Sequence, residues 1–143
     1  MFKKMAVTAT SVLLLVVLLN GCFVWNSIKD RYQPYVLMDE VKEGKRKVKF
    51  VFDSPSSQVV FLAGQFNNWT WEKAKVSENE TVNVVIEMER NKQTGFWEKF
   101  VYLSPGKYQY KYVLDGGTWK YDQNTLEKTD DNFGGFNSVI VVK

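Results

Sequence analysis

Two tryptophans stand in segments crowded with Gly, Asn and Asp rather than in apolar runs. They are Trp69, in Gly64-Gln65-Phe66-Asn67-Asn68-Trp69, and Trp119, shortly after Asp115-Gly116-Gly117-Thr118. An indole in such a loop offers a wide, flat apolar face with a single polar edge. Two polar side chains suit the rim of a ligand stacked there. Lys111 supplies up to three donors, and Asn137 supplies both donors and an acceptor. Phe133, in Asn132-Phe133-Gly134-Gly135-Phe136, adds a third loop aromatic. Stacking with hydrogen bonding at the edge is the chemistry of recognition, with no bond made or broken.

Reactive chemistry is poorly provided for. The chain has no His and one Cys. A Ser-His-Asp triad therefore lacks its base, a Cys/His zinc site lacks ligands, and no disulfide can close within the chain. No metal or cofactor is expected. Carboxylates are plentiful, so counting alone does not exclude a paired-carboxylate hydrolase. They fall on turns and exposed strand faces, however, and Asp130-Asp131 reads as a solvated loop pair. No Gly-rich phosphate loop follows a strand. The net charge is +3, and Lys3 and Lys4 at the extreme N-terminus account for most of it. The rest is close to neutral, which gives nucleic-acid binding no electrostatic support.

The elements that must position these residues follow from hydrophobic periodicity. From Lys47 onward the pattern has period two, the mark of half-buried strands. Val48, Phe50 and Phe52 alternate with Lys47 and Lys49, and Val82, Val84, Ile86 and Met88 with Asn83 and Glu87. Tyr108, Tyr110, Tyr112 and Leu114 alternate with Gln109 and Lys111. The last alternation sends Lys111 outward if the tyrosines face a core. Val59–Ala63 is apolar on both faces and reads as a central strand. Phe96–Leu103 and Ser138–Val142 complete the set, and Thr118–Phe136 is expected as a long loop. About seven short strands over roughly 100 residues imply an all-β, antiparallel, immunoglobulin-like β-sandwich. Trp71 and Trp97 are assigned to packing or neutral surface, and Phe66 and Asn67 to structure.

The N-terminus has a different character. Lys3 and Lys4 precede a nearly unbroken apolar run, Met5–Leu19, too short for a spanning helix of about 20 residues but suited to a secretory signal. It ends in Leu19-Asn20-Gly21-Cys22, which resembles a bacterial lipobox. That resemblance implies a signal peptide over 1–21, a diacylglyceryl group on Cys22, and an exported chain anchored to the cell membrane or envelope. Residues 22–46 are expected as a polar tether and 47–143 as the sandwich, with a possible edge strand from Tyr35.

The three aromatic segments, taken in order, closely resemble the glycogen-binding module of the AMP-activated kinase β subunit. This carbohydrate-binding type also accompanies starch-branching and debranching enzymes. The resemblance covers roughly Tyr35 to Lys143 and implies α-1,4-glucan binding. Trp69 and Trp119 match the tryptophans on which glucose rings stack. Lys111 and Asn137 match residues that hydrogen-bond hydroxyls, and Phe133 falls at an apolar position against the sugar chain. Gly135 stands where the kinase-associated module has a Thr, so one polar contact is expected to be missing. The residue types agree independently, since a pyranose has a C–H face ringed by hydroxyls. The resulting expectation is a non-catalytic, lipid-anchored module for glycogen- or starch-like glucan. Two alternatives use the same sandwich: a structural or protein-interaction lipoprotein, or a targeting subunit of a separate glucan-active enzyme.

Overall fold

The structure, a computed structural model, describes residues 33–72 and 84–143, apart from the side chains of Met38 and Asp39. The signal segment, Cys22 and its expected lipidation lie outside the described residues. So does 73–83, which includes the start of the expected 82–88 strand.

Among the described residues the regular secondary structure is nearly all strand. Ten strands occur in order: β1 Tyr35–Lys42, β2 Lys45–Phe52, β3 Val60–Gly64, β4 Ile86–Glu87, β5 Glu89–Arg90, β6 Trp97–Leu103, β7 Gly106–Leu114, β8 Thr118–Lys120, β9 Glu127–Asp130 and β10 Phe136–Val142. A short 3-10 turn, Gln65–Asn67, follows β3. One antiparallel sheet has the order β1-β2-β6-β5. The other runs β4-β3-β7-β10-β9, with β8 also on β7. The expected antiparallel sandwich is the observed fold.

Period-two patterning explains the core. Val48 and Phe50 of β2, Leu62 of β3, Trp97 and Leu103 of β6, Tyr110 and Tyr112 of β7, and Ile140 and Val142 of β10 are buried between the sheets. Alternate residues of each strand point the other way, as the pleat requires. Burying apolar area at about 25 cal/mol per Å² supplies the main driving force. Phenol hydroxyls in such a core need acceptors. Tyr110 donates to Asp122 Oδ2 at 2.9 Å, and Tyr112 donates to Val51 O at 3.1 Å with Asp122 Oδ2 at 3.4 Å. Asp122 is itself buried, and its backbone N–H donates to Ser138 Oγ at 2.6 Å.

Three stretches differ from the sequence expectation. The edge strand runs on to Lys42, through much of the charged stretch read as tether, and pairs with β2 across a Glu43-Gly44 turn in which both residues have positive φ. The alternation ending at Met88 is not one strand. β4 pairs with β3 in one sheet, β5 pairs with β6 in the other, and buried Met88 between them donates its N–H to Val60 O. The chain changes sheets there, and one-sided alternation cannot mark such a crossing. The expected loop 118–136 contains β8 and β9, two short strands with mostly exposed polar residues.

Candidate carbohydrate-binding groove

The site forms where one edge of β7 is shared. Gly106–Tyr110 pairs with β10, and Tyr112–Leu114 pairs with β8. Lys111 lies at the join, opposite Ala63 of β3 on the other side. Because Tyr110 and Tyr112 face the core, Lys111 points out of the sheet, as does Gln109. The gap between β8 and β10 opens there into a groove of about 580 Å³, lined by Gln65, Trp69, Gln109, Lys111, Trp119, Asp131, Phe133 and Asn137. Trp69, Lys111, Trp119, Phe133 and Asn137, the five residues singled out from the sequence, all line it. A larger cleft of about 730 Å³, bordered by Phe66, Ile86, Lys99 and Tyr102, contains no tryptophan.

Trp69 is delivered by a compact turn. Asn67 is buried, and its amide Nδ2 lies within hydrogen-bond reach of the carbonyls of Leu62, Thr70 and Val84, while its Oδ1 accepts the Gly64 N–H at 2.9 Å. Asn68 and Trp69 then both take positive φ, 51° and 58°. That conformation is costly for a bulky residue, and the Trp69 N–H to Gly64 O bond of 2.9 Å closes the turn. Gly64 is required by space, because a Cβ there would stand 2.6 Å from Gln109 O.

Trp119 comes from the opposite side, on β8, and stays 39% exposed. Its ring centroid is 6.3 Å from that of Trp69, at an interplanar angle of 51°. Trp71 meets Trp119 edge-on at 6.3 Å and packs in turn against Phe61. Trp71 is thus a packing residue, and what it packs is the back of a groove residue. Phe133, at a turn flanked by positive-φ Asn132 and Gly134, is 95% exposed.

The polar residues form a connected floor. Asn137 Nδ2 donates to Gln109 Oε1 at 2.9 Å, and the Gln109 N–H donates to Gln65 Oε1 at 2.8 Å. Lys111 Nζ donates to Asp131 Oδ2. Asp131 Oδ1 accepts the N–H groups of Phe133 and Gly135, each at 2.9 Å. The hydrogen bond from the Lys111 ammonium, and after it the two N–H bonds, hold the Asp131 carboxyl down at about 2. Asp131 is therefore not the solvated loop residue expected, since its side chain is only 10% exposed and it organises the loop that carries Phe133. Gln65, Gln109 and Asp131 were missed from the sequence. The alternation already placed Gln109 beside Lys111 on the outward face, so that signal was available. Nothing local marks Asp131, whose main partner is 20 positions away.

Flat indole faces beside a floor of amides, an ammonium and a carboxylate can hold a molecule with an apolar face and a hydroxylated rim. No curated protein matches the chain. One family model, described as the glycogen recognition site of AMP-activated protein kinase, matches residues 46–143. That span contains every residue of the groove and most of the chain, and starts after β1. The chain belongs to this family and is a carbohydrate-binding module.

Proposed function

We propose that the chain binds α-1,4-linked glucan of the glycogen or starch type without transforming it. The observation that carries this reading is the gathering of Trp69, Trp119, Phe133, Lys111 and Asn137 around one groove. In this reading glucose rings stack on the two indoles, whose tilt fits a chain that curves from one ring to the next. Lys111 and Asn137 bond the hydroxyls, and Phe133 packs against the sugar. The polymer is bound as a product of neither cleavage nor transfer. The chain is held at a cell envelope by lipid on Cys22, a reading supported by the apolar run and Leu19-Asn20-Gly21-Cys22. Several acyl chains, at about 0.8 kcal/mol per buried CH₂, make a durable anchor.

Retardation of the full chain in a native gel containing glycogen tests this reading. Slowed migration, with no sugar released on prolonged incubation, is the expected result. Unretarded migration at high glycogen would refute glucan binding, and sugar release abolished by a single carboxylate substitution would refute the non-catalytic reading.

A second reading has the sandwich meet a protein, such as a separate glucan-active enzyme. The face of the β1-β2-β6 sheet favours it, where Tyr35, Phe100 and Tyr102 are exposed and Lys47 lies 4.5 Å over the Phe100 ring. The two readings use different faces and are compatible.

A further inference from the structure

At the centre of the groove an ammonium and a carboxylate lie side by side, both mostly buried. The side chains of Lys111 and Asp131 are 14% and 10% exposed. Asp131 anchors the Phe133 loop through two N–H bonds to Oδ1, and its other oxygen and the Lys111 ammonium lie together on the floor of an open groove. We propose that Lys111 and Asp131 together read two neighbouring hydroxyls of a bound pyranose, Asp131 as acceptor and Lys111 as donor, and that Gly135 is there to admit the carboxylate. The proposal deepens the glucan-binding reading and rests on it.

An accounting of lone pairs supports the assignment. A carboxylate has about four acceptor positions. On Asp131, Oδ1 uses two for the Phe133 and Gly135 N–H groups, and Oδ2 uses one for Lys111. One position on Oδ2 remains. Lys111 Nζ gives one of its three protons to Asp131, which leaves others for a ligand. In a vicinal diol each hydroxyl can both give and accept. One can donate to Asp131 while its neighbour accepts from Lys111, and both bonds are charge-assisted. Asp131 is the one carboxylate among the groove residues, and the amide oxygens of Gln65 and Gln109 already accept from within the protein.

Gly135 completes the argument. A Cβ at this position would stand 2.8 Å from Asp131 Oδ2. A side chain there would make the carboxylate shift by a few tenths of an ångström, which disturbs its bond to Lys111. The glycine that looks from the sequence like a lost polar contact instead opens the seat for a stronger one.

Calorimetric titration of the full chain tests this, with maltoheptaose and with an analogue in which one secondary hydroxyl of each glucose is replaced by hydrogen. Asp131→Asn keeps an oxygen for the loop N–H groups but turns a donor toward Lys111. Gly135→Ala keeps the carboxylate but displaces it. The wild type should prefer maltoheptaose by about tenfold or more, the worth of a charge-assisted hydrogen bond. Both variants should lose most of that preference, and Asp131→Asn should also melt below wild type at neutral pH, because the ionised carboxylate stabilises the folded chain. A merely structural role would weaken both ligands alike and leave the preference intact, and that result overturns the proposal. If Asp131→Asn proves poorly folded, Gly135→Ala decides by the same criterion. A wild type that binds maltoheptaose but shows no preference refutes the diol pair and leaves glucan binding standing. A wild type that binds neither sugar removes both.

Discussion

Trp119 is held from behind as well as exposed in front. Trp71 braces one edge, and Phe61 braces Trp71. Removing an aromatic from a binding centre costs about 2 kcal/mol or more, which is roughly a thirtyfold loss in affinity. Trp119→Ala and Trp69→Ala should therefore each weaken glycogen binding by about that factor. Trp71→Ala should weaken it by a smaller factor, because its ring supports the site without lining it. Trp97→Ala is the control. Its indole is buried and donates to Ser54 O at 3.0 Å, so its loss should cost about 3–5 kcal/mol of stability and leave binding by the folded fraction unchanged. Glycogen affinity and a melting curve for each variant check these outcomes, and a normally binding Trp119→Ala would show that the groove is not the site. Protonation adds a separate test. The Asp131 carboxyl is depressed from 3.8 to about 2 in the folded chain. Its contribution to stability is therefore complete above the unfolded value and is lost as pH falls from 3.8 through about 2. Asp122 has the opposite sign, because burial raises its carboxyl, so its contribution is present below the unfolded value and is lost as pH rises through the folded one. Asp131→Asn should flatten the acid arm of the stability profile between pH 3.8 and about 2, as measured by thermal melts across that range.

Among the elements, the turn after β3 carries the most constraint per residue. Asn67 ties the Gly64 N–H and three carbonyls into one knot, and the positive-φ pair Asn68-Trp69 follows at once. Asn67→Ala would remove the amide partner of the buried Gly64 N–H and Leu62 carbonyl and of the Thr70 and Val84 carbonyls. The expected cost is about 3 kcal/mol, or a fall of roughly 10 °C or more in melting temperature. Glycogen affinity should also fall below the melting point, because the same knot aims Trp69. A variant that melts lower but binds normally would separate the turn from the site. The sharing of one β7 edge by β8 and β10 has a comparable role. Two strands on one edge must leave a break between them, and the break falls at Lys111, the single outward residue between buried Tyr110 and Tyr112. That break leaves room for the groove on the face of the sheet.

At the scale of the whole molecule, the described sandwich presents its groove on one sheet, and an N-terminal segment precedes β1. Cys22→Ser should abolish incorporation of a fatty-acid probe in cells, because in the proposed anchor the sulfur accepts the diacylglyceryl group. Equal labelling of wild type and mutant would refute the anchor. Much of the sandwich was legible in advance. Alternation within a strand records which side is buried, so the strands at 48–52, 60–63, 97–103, 108–114 and 138–142 could be read directly. The loop tryptophans could be read for a related reason, since an indole in a segment rich in Gly and Asn lies outside the apolar alternation that marks a buried strand face. The remainder depended on contacts between distant positions. The alternation ending at Met88 divides between two sheets because its partners, β3 and β6, belong to different layers. β8 and β9 are strands because β7 and β10 offer them edges, not because Thr118–Lys120 or Glu127–Asp130 is patterned as strand. Asp131 acquires its ammonium from a strand 20 positions earlier, and Gly135 its meaning from the carboxylate it admits. By itself the sequence determined what local chemistry can record: buried against exposed faces, turns, loop aromatics and the family motifs. Only the tertiary structure decided which polar groups meet, because a hydrogen bond or ion pair forms within about 3 Å in space and leaves no period along the chain.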